Sequence, residues 1–185
     1  FYSIPLFCSA IVAPNCIEVF HFQDVLLQSV VKQALAEFMV KDEIHIIKTT
    51  YLDEADLVYI DIDQTKRVLT NILSNAVKYS PQGGVIAIST FCRTNPDDGH
   101  REIGVTIADQ GIGMTQEQLS HIFERFWRAP TVGKIIGTGL GMSLVKEIMQ
   151  VQQGRVEVNS TPGHGTEVGL WFKPSSNSLY GAAHE

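Results

Sequence analysis

The sequence predicts an α+β fold, a two-layer α/β sandwich, on three observations. Its 185 residues have the length of one domain, able to bury roughly 70% of the surface of the unfolded chain around a single core. Apolar residues recur at helical spacing in some segments and alternate in others. The strand-like segments come in runs rather than in strict alternation with helices, which separates this pattern from a doubly wound parallel sheet. Hydrophobic residues at 44% and charged residues at 18% exclude a disordered or low-complexity polypeptide.

Taken in order, residues 1–18 are linker-like, and 1–19 form an N-terminal segment without an assigned role. The first seventeen residues are uncharged, but Pro5, Pro14 and Asn15 interrupt them, and a spanning helix needs about 20 apolar residues. No membrane contact is expected. A signal peptide would carry a basic start, and Phe1 in place of Met reads as the edge of a longer chain. Over 24–40, Val25, Leu26, Val30, Leu35 and Phe38 predict a first helix. The runs 44–50 and 57–60, around the acidic loop 53–56, read as a strand pair. A second helix starts at Asp61, with Gln64 completing a capping box. Along it Val68, Leu69, Ile72, Leu73, Ala76 and Val77 form an apolar stripe, and Arg67, Asn71, Asn75 and Lys78 share the opposite face, which by itself is no more than a solvated surface.

Residues 85–91 and the alternating Ile103, Val105 and Ile107 predict a hairpin about the turn 95–99. The second strand ends at Asp109, where a carboxylate meets the glycine turn Gly111-Ile112-Gly113-Met114. Thr115 and Gln118 make a capping box for a short helix running into 123–128, with Phe123 and Phe126 at i, i+3 as core aromatics. Residues 129–138 read as a loop that feeds a helix bearing Leu144, Val145, Ile148 and Met149. Segments 154–159 and 166–172 predict a second hairpin, and 174–185 a flexible tail.

Fourteen basic against twenty acidic residues leave a net charge of −6, which argues against nucleic acid, since a phosphate backbone selects for a basic face. Cys8, Cys16 and Cys92 are odd in number and form no C-x-x-C pair, so a reducing, cytoplasmic setting is expected. Glycines cluster at Gly111/Gly113, Gly137/Gly139/Gly141 and Gly163/Gly165, and each cluster permits a ligand to approach the backbone. The middle one opens a helix, whose free N–H groups favour an anion. It is neither a Walker loop, because Ile135 follows Lys134, nor a dinucleotide fingerprint, because no strand precedes it.

The motifs N-x-x-x-N-x-x-K-Y at 71–79, D-x-G-x-G-M at 109–114, F-x-x-F at 123–126, G-x-G-L-G at 137–141 and G-x-G-T at 163–166 occur in one order. Together they resemble the N box, the three glycine boxes and the F box of the GHKL ATP-binding domain of bacterial sensor histidine kinases. The resemblance covers 22–173 and implies a Bergerat-type sandwich at 20–173, with a mixed, mainly antiparallel sheet covered on one face by helices. It implies that Asp109 accepts from the adenine amino group, helped by Thr166 through water, that Asn75, with Asn71 one turn earlier, holds Mg²⁺, and that Lys78 and Arg128 face the phosphates. Tyr79 would border the nucleoside. Gly111, Gly113, Met114, Phe126, Gly137, Thr138, Gly139, Leu140 and Gly141 complete the implied ATP-binding set, with 127–138 as a lid.

The activity so implied is transfer of the γ-phosphoryl group of ATP to a histidine on a separate dimerisation and phosphoacceptor domain, of the same or a partner chain, with a response regulator downstream in two-component signalling. Asn71 stands where hydrolytic members of the superfamily place a glutamate, which argues against an ATP hydrolase. A serine kinase of the anti-sigma-factor type and a nucleotide-sensing module without phosphotransfer are the alternatives. No acceptor helix is expected before Phe22, and of the six histidines only His184 precedes an acidic residue. The fragment alone is therefore not expected to phosphorylate itself.

Overall fold

The computed structural model describes residues 10–13, 16–38, 44–51, 57–94, 99, 101–129 and 137–177. Its main sheet has five strands, β4 (His45–Thr50), β6 (Gly84–Thr94), β7 (Arg101–Ala108), β9 (Gly165–Phe172) and β8 (Arg155–Thr161), in that spatial order. β4 runs parallel to β6 and every other neighbouring pair is antiparallel. Helices α1 (Leu27–Glu37), α2 (Ile62–Lys78) and α4 (Gly141–Val151) supply the second layer, with the six-residue α3 (Gln116–His121) beyond β7. The predicted two-layer sandwich with a mixed, mainly antiparallel sheet is the architecture observed.

Alternation explains which sheet face is covered. Ile86 and Ile88 of β6, Ile103, Val105 and Ile107 of β7, and Val168, Leu170 and Phe172 of β9 are all buried. With them lie Val68, Leu69, Ile72, Leu73 and Ala76 of α2 and Val145, Ile148 and Met149 of α4. Period 2 on the strands and period 3.6 on the helices thus meet in one core. The opposite sheet face carries Trp171, stacked under the Arg93 guanidinium at 3.2 Å. Around it Arg93 and Arg155 each pair with both Glu102 and Glu157, closing a four-membered ionic ring.

Several local expectations are corrected. The helix expected over 24–40 begins only at Leu27, because β3 (Phe22–Leu26) pairs antiparallel with β5 (Leu57–Asp61). A partner more than thirty residues away overrides the helical spacing of Val25 and Leu26. The buried helical residues are then Leu27, Val30, Val31 and Ala34. For the same reason 44–50 and 57–60 do not pair with each other: β4 joins the main sheet and β5 the small one.

The capping box at Asp61 is half formed. Its carboxylate accepts from Gln64 N–H at 2.9 Å, but the Asp61 N–H donates to Gln152 Oε1 at 2.9 Å rather than to Gln64. The box at Thr115 and Gln118 is complete. The linker-like N-terminus contains a hairpin, β1 (Ala10–Ala13) with β2 (Cys16–Val19). The tail is anchored at its start: Ser175 N–H donates to Leu57 O at 2.7 Å, and Ser175 Oγ and Asn177 Nδ2 donate to the Asp24 carboxylate. The turn residues 95–98, the loop 53–56, lid residues 130–136, His100 and His184 lie outside the described residues.

Candidate functional site

A cavity of about 320 Å³ opens between α2, the end of β7, β9 and the N-terminus of α4. One of its ends is built by α2. Residues 71, 75 and 78 lie one turn apart on a single helix face, while Ile72 and Ala76 point inward and fix the rotation of the helix. Asn71 Nδ2 donates to Arg67 O at 2.9 Å, which leaves Asn71 Oδ1 facing α4. A Cβ on Gly141, the first residue of α4, would fall 3.2 Å from that oxygen and 3.9 Å from Asn75 Nδ2. A Cβ on Gly137 would fall 2.5 Å from Lys78 Nζ. The glycine loop therefore seats directly on the Asn/Asn/Lys face.

No side chain caps the N-terminus of α4. Its first N–H groups and the Lys78 ammonium, which has no ion pair among the described residues, converge on one end of the cavity and suit an anion. The amide oxygens of Asn71 and Asn75 are hard donors of the kind Mg²⁺ accepts. No cluster of His, Cys, Asp or Glu among the described residues could hold a metal, so a metal here would need phosphate or water oxygens to complete its shell.

The other end is built by the strands. Asp109 follows β7 directly, and its Oδ1 accepts from Gly111 N–H at 2.8 Å and Thr166 N–H at 3.2 Å. Oδ2 takes neither bond. Burial pushes the Asp109 carboxyl above its ordinary value of 3.8; the two backbone bonds and the neighbouring Ser80 hydroxyl pull the other way without overcoming it. Ile107, Ile112, Met142 and Val168 supply apolar walls.

Two glycines make the approach of these loops possible. Gly113, at φ +63°, would place a Cβ 2.0 Å from Thr161 O, and Gly165, at φ +88°, one 2.0 Å from Asp109 O. The first glycine loop is held from both sides, by Ile112 N–H to Tyr79 O at 3.0 Å and Gly163 N–H to Ile112 O at 2.7 Å.

The cavity brings together Asn71, Asn75, Lys78, Tyr79, Asp109, Gly113, Met114, Arg128, Gly137, Thr138, Gly139, Gly141 and Thr166. Three expected residues do not line it. Gly111 lies behind Asp109, against Tyr79 O and Ser80 Oγ. Leu140 caps α4, its carbonyl accepting from Leu144 N–H and Ser143 Oγ. Phe126 is 71% exposed at φ +65°. Nor do Phe123 and Phe126 share a helix, since α3 ends at His121. Phe126 is tied instead to the second glycine loop, its N–H donating to Gly139 O at 2.9 Å.

The apolar walls and the hydroxyls of Ser80 and Ser160 belong to none of the defining positions of the sequence motifs. The signal for the walls is present, as the outward edge of the same stripes that form the core. The two serines carry no spacing signal.

Residues 60–176 match the family described as histidine kinase-, DNA gyrase B-, and HSP90-like ATPase. The chain is 35% identical over 135 residues to the sensor histidine kinase WalK of Bacillus subtilis (strain 168), covering 71% of this chain and 21% of WalK. It is 30% identical over 148 residues to the adaptive-response sensory kinase SasA of Microcystis aeruginosa (strain NIES-843 / IAM M-2473), covering 79% and 37%. It thus spans about a fifth to a third of these curated relatives. Among solved structures, full-length ShkA in complex with AMPPNP shares the fold, with a TM-score of 0.70 at 20% identity over 94% of this chain and 34% of that one.

Proposed function

Because the chain belongs to the histidine kinase-, DNA gyrase B-, and HSP90-like ATPase family, we propose that it binds Mg-ATP and donates the γ-phosphoryl group to a histidine on a separate dimerisation and phosphoacceptor domain in two-component signalling. The observation that carries this reading is the polarity of one cavity. A half-buried carboxylate whose Oδ2 takes neither backbone bond stands at one end, and a lysine, two amides and a helix N-terminus at the other. Adenine offers an amino donor to the first end, and the triphosphate offers anionic oxygens to the second. ShkA, of the same fold, holds an ATP analogue.

In this reading Asp109 accepts from the adenine amine, and Tyr79, Ile112 and Met114 flank the nucleoside. Lys78 and the N–H groups of α4 hold the phosphates and neutralise the charge that spreads over them as the transferred group loosens from ADP. Arg128 adds charge from the rim. Asn75, with Asn71, would hold Mg²⁺, which would supply positive charge to offset that of the phosphates. The acceptor imidazole attacks phosphorus with its own nitrogen lone pair, and the bond to the ADP oxygen breaks. Asn71 cannot take a proton from water, which disfavours hydrolysis.

What the chain supplies is positioning and charge, and its setting is the cytoplasm, where ATP is available. No described helix is long and apolar enough to cross a membrane. The acceptor histidine and a response regulator belong to other segments or chains. The test is acid-labile transfer of labelled phosphate from ATP to a dimerisation and phosphoacceptor helix pair supplied in trans. Transfer that needs both parts and Mg²⁺ supports the reading; a mixture that transfers no label, or a lone fragment that labels itself equally fast, defeats it.

A further inference from the structure

Ser160 joins three parts of the pocket through one oxygen. Its Oγ donates to Gly165 O at 2.9 Å, accepts from Met114 N–H at 2.9 Å, and lies 2.9 Å from Thr166 Oγ1. A hydroxyl has one proton and two lone pairs. The Gly165 carbonyl can only accept, so it takes the Ser160 proton, and Met114 N–H occupies one lone pair. What remains for Thr166 is a lone pair, which makes Thr166 the donor in this contact. Its hydroxyl proton is therefore turned away from the cavity. Toward the cavity Thr166 Oγ1 presents only lone pairs, beside an Asp109 carboxylate that is itself an acceptor.

We propose that Ser160 is a positioning residue for nucleotide selectivity: by fixing the Thr166 hydroxyl as an acceptor, it makes this end of the pocket select a purine with an amine at carbon 6 over one with a carbonyl there. The inference rests on the ATP reading above. Ser160 does not itself line the cavity; it acts through Thr166. An amine, or a water that donates to both acceptors, completes the floor, whereas a carbonyl oxygen meets two acceptors and leaves both unpaired. With Ser160 removed, the Thr166 hydroxyl is free to rotate its proton into the pocket and serve a carbonyl.

The test is the ratio of dissociation constants for inosine triphosphate and ATP, measured by calorimetry with Mg²⁺. Ser160→Ala is expected to lower this ratio about tenfold, the worth of one hydrogen bond. Ser160→Cys, which fills the site with a slightly larger thiol that bonds weakly, lowers it as well and serves if the alanine variant does not fold. Loosened packing would weaken both nucleotides and leave the ratio unmoved. In a Thr166→Val background there is no hydroxyl to orient, so Ser160→Ala must leave the ratio unchanged. A wild-type ratio retained in both Ser160 variants, or an equal fall in the Thr166→Val background, overturns the inference and leaves ATP binding intact. A wild-type domain that binds neither nucleotide overturns both.

Discussion

Replacing Asp109 with asparagine separates the function of the carboxylate from its part in the fold. In the wild type Oδ1 holds Gly111 N–H and Thr166 N–H at 2.8 and 3.2 Å. An asparagine keeps that oxygen and hence both backbone bonds. The change falls on the other atom, where an N–H₂ donor replaces the carboxylate oxygen that, in the proposed reading, accepts from the adenine amine. One buried hydrogen bond lost or mispaired costs about 1–3 kcal/mol, roughly tenfold to a hundredfold in affinity.

Stability should move the opposite way. Burial raises the Asp109 pKa above 3.8, so between the ordinary and the raised value the folded state binds more protons than the unfolded one. Stability from this group therefore falls as pH rises through that window, and above it the full cost of a desolvated charge is present. The neutral asparagine escapes it. Asp109→Asn is expected to bind ATP more weakly by calorimetry yet to melt higher at pH 7 without nucleotide, the gain vanishing below pH 3.8. Wild-type ATP affinity should also fall as pH drops through the raised pKa, because a protonated carboxyl is a poorer acceptor. Equal ATP affinity in the two proteins, or affinity lost together with melting temperature, refutes the reasoning.

Asn75→Ala should abolish the strengthening of ATP binding by Mg²⁺ while adenosine binding persists, read by calorimetry with Mg²⁺ and with a chelator. Gly113→Ala should destabilise the domain by about 1–3 kcal/mol or more in urea unfolding, because its φ is +63° and its Cβ would strike Thr161 O. Glu102→Ala opens the ionic ring over Trp171, and since Glu102 is 8% exposed while its arginine partners are about a third exposed, a loss of about 1–3 kcal/mol is expected. ATP affinity should not change, which dye-monitored melting with and without nucleotide checks.

Much of this was legible wherever structure is encoded locally. The α2 stripe, the Thr115 cap, the two hairpins and the placement of Asp109 at a strand end follow from spacings of a few residues. What the sequence could not disclose depends on distant partners. β3 reads as helix until β5 arrives to pair with it, and β4 lies beside β6 rather than beside its apparent neighbour β5. The Asp61 cap is completed by Gln152, ninety-one residues away. Phe126 sits at helical spacing from Phe123, yet its amide is claimed by Gly139, and the helix stops short of both.

The same division runs through the site. The polar side chains of its anion end come from one helix: i, i+4 and i+7 on α2 write Asn71, Asn75 and Lys78 onto one face while the other face anchors the core. Any sequence with that stripe and those residues must present them together. The base end is assembled from the end of β7, the first glycine loop, β8 and β9, and what joins them is the set of hydrogen bonds around the Ser160 hydroxyl, to Met114 N–H, Gly165 O and Thr166 Oγ1. A motif records that Thr166 is present but not which way its proton points, and that direction decides whether the pocket offers a donor or an acceptor. Residues at the anion end should therefore tolerate little change in kind, because a fixed charge and hard amide oxygens have few substitutes. At the base end selectivity can be altered from behind, through a serine that no nucleotide touches.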